Sequence, residues 1–323
     1  MSGSEWRPGR AYGAPSGERV VPAYPSRVDL HTHSRRSDGI LQPLELVEAA
    51  AACGVVHLAL TDHDSLAGVR ELCARPEPLP LDLLPGVEIN SVATGVEGLV
   101  EGELHVLGLG VDPADERFEA ALANQRQLRV SRFRRIVDRL RELGLPIDRQ
   151  VDVLMAGPGG VAGASLGRPQ IARCLVAAGY ATSVDDAMKR LIGRGGPAYA
   201  TREGMGPAEA IAAIRAAGGV AVLAHFADAP ARRELARELM EAGLRGLEVH
   251  YRQFDASTID GLAHVARELG LIQTGGSDYH GDDGAYAAAH AQLFVPDADA
   301  ATLMAALRSG DVRSSSAPGP AET

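Results

Sequence analysis

Between residues 27 and 310 short apolar runs alternate with helical segments, and this alternation constrains the fold more than any single motif. Strands separated by helices pair in parallel, so the pattern implies an α/β chain with a mostly parallel sheet and helices outside it. Arg27–His31 is the first apolar run; Pro43 then opens a helix through Cys53, with Gly54 as its stop. Val55–Thr61, Leu81–Ile89 and Glu101–Leu109 read as strands, with a helix from about Ser65 to Ala74. From Asp115 to about Tyr199 the signals are helical: Val130, Phe133, Ile136, Val137, Leu140 and Leu143 fall on one face before Gly144. Helices near Pro169–Ala178 and Val184–Leu191 follow. Alternation then resumes with helix Pro207–Ala217, strand Val220–Ala224, helix Pro230–Ala242, strand Gly246–His250, helix Ser257–Leu269 and strand Leu271–Gly275. A strand near Ala291–Val295 and a helix near Asp299–Arg308 complete the pattern. Roughly seven such units suit a closed or distorted barrel, where chemistry collects at the C-terminal ends of the strands.

The expected organisation is a barrel in two parts, 27–111 and 201–310, with a helical insertion at 112–200 acting as substrate lid or specificity subdomain. Residues 1–26 and 311–323 read as flexible tails from their Pro, Gly and Ser content. An apolar fraction of 46% in 323 residues supports a sizeable core. A net charge of −10 excludes broad electrostatic binding to duplex DNA or to anionic membrane. Three cysteines without a C-x-x-C pair point to a reduced compartment. Met1–Pro25 lacks the apolar stretch of a signal peptide, and no run reaches the roughly 20 residues of a membrane span, so a cytoplasmic protein is expected.

The ends of the apolar runs carry the chemistry. His31-Thr32-His33 ends the first; residues two apart on a strand point the same way, so both imidazoles can meet one ion. Asp38 follows in the next loop, and Thr61-Asp62-His63-Asp64 ends the second run. Glu88 ends the third, His105 lies in the fourth, His225 follows Ala224, and Asp278 and His280 follow Gly275-Gly276-Ser277. Each alone has an ordinary reading as a hydrogen-bonded histidine, a helix cap or a salt-bridged carboxylate. Together, burying so many ionisable groups without an ion would be expensive. Imidazoles with carboxylates suit Mn, Fe or Zn, and so many ligands exceed what one ion needs; two or three ions sharing bridging carboxylates are expected. Asp62 and Asp64 are expected to orient imidazoles rather than bind an ion. His57 reads as a core or barrel-bottom residue, His264 as a surface one, and His290 as unpartnered. His250, two after Glu248, is a candidate for supporting a ligand or facing substrate. The glycines at 159–160 and 193–196 lack the Lys-Ser/Thr of a phosphate-binding P-loop.

Six motifs occur in order: R-V-D-L-H-T-H-S with Asp38-Gly39, L-T-D-H-D, P-G-V-E, H-V-L-G, G-G-V-A-V-L-A-H and T-G-G-S-D-Y-H-G. Over about residues 27–310 the chain resembles the PHP (polymerase and histidinol phosphatase) family of metal-dependent phosphoesterases. With Gly167-Arg168-Pro169 and Gly193-Arg194-Gly195 in the insertion, it is similar to the stand-alone branch. Members of that branch remove phosphate from nucleotides such as nucleoside 3′,5′-bisphosphates or trim short RNA from its 5′ end. The resemblance implies a distorted (β/α)7 barrel with an inserted helical subdomain and up to three metals. One ion would be held by His31, His33, Glu88 and Asp278, a second by Glu88, His105 and His225, a third by Asp38, His63 and His280. Two positions depart from the branch pattern: Gln170 stands where it usually carries His, and Phe226 where it usually carries Pro. Both are expected to face substrate.

The expected reaction is hydrolysis of nucleotide phosphate monoesters by a hydroxide bridging the metals, with no covalent intermediate on the protein. Arg168 and Arg194 are candidate phosphate contacts, because a guanidinium fork matches phosphate geometry. The alternative is a 5′-to-3′ exoribonuclease on short 5′-phosphorylated RNA, with a histidinol-phosphate-type phosphatase or a non-catalytic metal-binding module behind it. Arg126, Arg129, Arg132, Arg134 and Arg135 could line an RNA channel, but a solvated helix face is the preferred reading.

Overall fold

The computed structural model describes residues 26–93, 99, 102–156, 165–281 and 284–309. The expected tails at 1–25 and 311–323 and the glycines at 159–160 lie outside the described residues. Ser26, expected in the tail, is instead buried, its hydroxyl bonded to the Val28 carbonyl at 2.7 Å.

Seven strands follow one another around a single sheet in chain order. They are β1 (Val28–Asp29), β2 (His57–Leu60), β3 (Asp82–Val92), β4 (Glu103–Leu109), β5 (Val220–Leu223), β6 (Gly246–Tyr251) and β7 (Ile272–Gly276). The ends meet where Leu30 N–H donates to Gly275 O (3.2 Å), Asp278 N–H to His31 O (2.8 Å) and His33 N–H to Tyr279 O (3.1 Å), so the sheet nearly closes into a barrel. Gly276 permits this closure: a Cβ there would lie 2.3 Å from the Cβ of His31. Neighbouring strands are parallel except around β4, which runs antiparallel to both β3 and β5. Only residues 93–102 separate β3 from β4, too few for the dozen or more that a parallel crossover needs. The reversal brings the start of β4, with His105 opposite Asn90, to the rim where the other strands end.

The strands are apolar on both faces because both are covered. Ala59, Leu107, Leu109, Val220, Val222 and Ala224 form the inner cluster, while Leu58, Leu60, Val106, Ala221 and Leu223 pack toward the helices. Ala300 and Leu303 of the helix Asp297–Ser309 join the inner cluster at the end where β1 and β2 begin. The expected strand at Ala291–Val295 is not one. Leu293 and Val295 are buried as alternation suggests, yet β1 already meets β7, and Val295 N–H bonds only the Ser26 hydroxyl (3.3 Å).

The helical region starts with Glu116–Glu142, whose first turn is capped by the Asp115 carboxylate accepting from Arg117 N–H (2.8 Å) and Phe118 N–H (2.9 Å). Phe118 and Leu122 on this helix belong to the barrel-side core. Farther along, Phe133, Ile136, Val137 and Leu140 form a separate core with Ile171, Leu175 and Ile192 from the helix Arg168–Ala177 and a π-turn at Met188–Ile192. One long helix therefore spans both cores. Leu143, expected on the apolar face, caps the helix and is exposed. Replacing the fully buried Leu140 by Ala is expected to cost about 2–5 kcal/mol, as lost transfer energy plus a cavity, measured by urea unfolding at unchanged m-value. The cysteines are free: Cys174 is buried in the second core, Cys53 half-buried and Cys73 exposed. Among the described residues no helix is long and apolar enough to cross a membrane.

Candidate metal centre

At the rim, nine side chains from seven separate stretches of chain converge into three groups, and within each group the ligand atoms lie within 4.8 Å of one another. They are His31, His33, Glu88 and Asp278; Glu88, His105 and His225; and His33, Asp38, His63 and His280. Glu88 belongs to two groups, as does His33, so the three are linked. The Glu88 carboxylate is the hub. Its Oε1 lies 2.7 Å from His105 Nδ1 and 3.1 Å from His225 Nε2; its Oε2 lies 3.2, 3.1 and 3.0 Å from His31, His33 and His63. His31, His33, Asp38, His63 and Glu88 are buried, the other four partly covered.

Several observations fit these donors to cations. Asp38 Oδ1, His63 Nδ1, Glu88 Oε2 and Asp278 Oδ1 are buried without a hydrogen-bond partner, a costly arrangement for a protein alone. His31 Nε2 and His33 Nε2 face each other at 3.1 Å, where two neutral rings could not both present lone pairs comfortably. Burial alone would push Glu88 up, but His63, His31 and His105 outweigh it and hold its carboxyl well below the usual range. Asp38 and Asp278 are held down against burial by their imidazole neighbours too. Burial carries His63 down to about 4, whereas carboxylates hold His105 at about 9 and His280 at about 10 despite theirs. The carboxylates call for positive charge, which divalent ions would supply with the rings neutral.

The supporting residues differ from those expected. Asp62 touches no ring: it accepts from Ser34 N–H and Ser34 Oγ (both 2.7 Å) and Ser37 Oγ (2.8 Å), reaching His33 Nδ1 only through Ser37 at 3.4 Å. Asp64 turns away from the imidazoles, its backbone at φ 48°, and accepts from Arg129 Nε (2.5 Å) and Arg202 Nη2 (3.4 Å). Asp64, His225 and Asp278 are the only non-glycine residues in the left-handed region among those described, and all stand at the site. Backbone strain of about 1–3 kcal/mol each is held there by the surrounding bonds.

Sequence reasoning passed over Glu248, which is buried with Oε1 3.0 Å from His31 Nδ1. Its signal was a carboxylate inside the otherwise apolar run G-L-E-V. His250 does not join it. A bulge between Glu248 and His250 turns the ring to the opposite side, where Nε2 meets Asp299 Oδ2 at 2.8 Å. Asn90 was also missed; it lies 2.7 Å from His105 Nε2 and accepts from Arg129 Nη2 at 2.6 Å. His57 is half-exposed beside Asp82 at the start of β2, so it is a barrel-bottom residue rather than a core one, and His264 is exposed. His290, expected to lack a partner, is buried with Nε2 2.8 Å from Ser26 O.

A cleft of about 170 Å³ opens beside the cluster, with Asp38, His63 and His105 at one side and Arg129, Arg132, Arg168, Arg202 and Glu103 at the other. The preferred reading of the arginines on helix Glu116–Glu142 as a solvated face therefore fails for Arg129 and Arg132, which are buried; Arg134 and Arg135 are exposed. Arg132 donates to Ala200 O (2.8 Å) and Glu103 Oε1 (3.1 Å), leaving Nη2 buried and unpartnered; Arg202 Nε is likewise orphaned. Burial and the neighbouring Arg129 push Arg202 down to about 10, and burial with Arg168 lowers Arg132. An anion there would relieve both. Arg168 lines the cleft, 3.7 Å from Glu103, but Arg194 is exposed, bonds Leu99 O (3.2 Å) and lies outside it. Gln170 and Phe226 do not face the cleft. Gln170 caps its own helix at Gly167 N–H (2.7 Å) and donates to Ser37 O (2.7 Å), and Phe226 packs in the barrel-side core.

Comparison with known proteins agrees with this geometry. The PHP domain family matches residues 29–143. A 5'-3' exoribonuclease of Haemophilus influenzae is 35% identical over 262 residues, covering 79% of this chain and 90% of that protein. A 3',5'-nucleoside bisphosphate phosphatase of Chromobacterium violaceum is 31% identical over 275 residues, covering 79% of this chain and 87% of that one. A solved structure from Bifidobacterium adolescentis, named as a metal-dependent phosphoesterase, superposes with a TM-score of 0.74 at 32% identity, covering 88% of this chain and 96% of its own. The chain therefore belongs to the PHP family of metal-dependent phosphoesterases and is a hydrolase of that class.

Proposed function

We propose that the chain hydrolyses phosphate monoesters of nucleotides, with nucleoside 3′,5′-bisphosphates as its best substrates. The observation that carries this reading is a cleft lined both by residues of the His/Asp/Glu cluster and by an arginine group with two orphaned buried N–H donors. A substrate with two phosphoryl groups satisfies both. His31, His33, Glu88 and Asp278 would hold one ion, Glu88, His105 and His225 a second, and Asp38, His63 and His280 a third, from Mn, Fe or Zn. Bound there, such ions would supply Lewis acidity at the phosphoryl oxygens and a water acidified enough to act at neutral pH. Arg132 and Arg202, with Arg168, would fix the second phosphate, while residues 112–200 supply the wall that selects substrate and limits water. The named C. violaceum relative acts on this substrate class.

The H. influenzae relative supports a second reading, 5′-to-3′ removal of nucleotides from short RNA, in which the arginines take a backbone phosphate. Mn-reconstituted protein offered adenosine 3′,5′-bisphosphate, AMP, histidinol phosphate and a short 5′-phosphorylated RNA separates the two. Phosphate release is expected chiefly from the bisphosphate. Stepwise release of mononucleotides from the RNA, with the bisphosphate untouched, would replace the first reading by the second.

A further inference from the structure

Glu248 stands on β6 inside the barrel, fully buried, and no ligand group includes it. Its two oxygens do different work. Oε1 lies 3.0 Å from His31 Nδ1, and a carboxylate oxygen accepts, which calls for a ring proton on Nδ1; Nε2, facing Glu88 (3.2 Å) and Asp278 (3.3 Å), would then offer its lone pair to a bound ion. Oε2 accepts the backbone N–H of His225 at 2.7 Å. That residue is left-handed at φ 30°, a region uncommon for any residue but glycine, and its Nε2 lies 3.1 Å from Glu88 Oε1. Two neighbouring groups thus depend on one carboxylate, through a tautomer in one and a backbone conformation in the other. The β6 bulge keeps Glu248 inward and sends His250 to Asp299.

We infer that Glu248 is a positioning residue that couples loading of the two groups sharing Glu88, while the group of His33, Asp38, His63 and His280, which contains neither His31 nor His225, keeps its hold. The inference rests on the metal reading above. Glu248→Gln preserves shape but cannot accept both hydrogen bonds, because its amide nitrogen would oppose one of the two donors.

The test loads wild type and Glu248→Gln with Mn2+ alone, titrates with chelator, and counts ions retained per chain by elemental analysis. The expected result is a roughly 10–100-fold weaker hold on the ions of both affected groups, with the remaining ion stripped at the wild-type chelator concentration. The Mn2+-induced rise in Tm should shrink in parallel; a merely structural residue would lower Tm equally with and without Mn2+. Glu248→Asp, which keeps the charge but draws it back by one methylene, should show the same pattern and replaces the first variant if that fails to fold. Equal loading, weakening of a single ion, or uniform weakening of every ion overturns the coupling. A wild-type chain that takes up no Mn2+ overturns the metal reading and this inference together.

Discussion

Glu88→Gln is expected to abolish phosphate release and metal loading together. Its two oxygens face five imidazoles at 2.7–3.2 Å, and among the described residues no other side chain joins the groups of His31 and of His105. The amide keeps the volume but removes the negative charge and directs N–H groups at ring nitrogens. Losing several kcal/mol of charge stabilisation at the reacting phosphoryl group corresponds to about 10³-fold in rate or more. Wild type should also gain about 2.7 kcal/mol of stability at Mn2+ a hundredfold above its Kd, and the variant little or none. Phosphate release and bound metal measured on the same preparations check this; a variant that retains both removes Glu88 from its central place.

The second large effect is selective rather than total. Arg132→Ala is expected to raise KM for adenosine 3′,5′-bisphosphate about 10–150-fold with kcat little changed, the equivalent of about 1.5–3 kcal/mol for a hydrogen bond to a charged group. Arg132 lines the cleft with its Nη2 buried and unpartnered, and the Glu103 carboxylate it would leave behind still has Arg168 and Arg202 nearby. AMP, with one phosphate, should lose much less. Equal losses on both substrates would show that Arg132 supports the fold of the cleft rather than a second phosphate. Arg194→Ala, outside the cleft, should alter neither.

The histidines illustrate what spacing along a chain can reveal. His31 and His33 lie two apart at the end of a strand and reach the same group, so their shared direction is a local property, whereas left-handed Asp278 and His280 reach different groups. Their placement after apolar runs located them at one rim before any contact was known. The same local logic misled at Ala291–Val295, whose alternation reflects burial without a sheet neighbour, and at His250, where one bulge reversed the face. It misled again at Arg129 and Arg132, because a charged helix stripe reads as solvated unless another element covers it.

The order of the seven sheet strands, the repeated metal-type residues at strand ends, and the family to which the chain belongs all follow from the sequence by itself. Those features depend on neighbours a few residues apart and on motifs in linear order. The reach of Glu248 to His31 and His225 over 217 and 23 residues, and the gathering of Arg129, Arg132, Arg168 and Arg202 around Glu103, were decided only by tertiary structure. Their causes are barrel closure, a bulge and strained backbone. Each depends on contacts between distant segments, and no local periodicity encodes them.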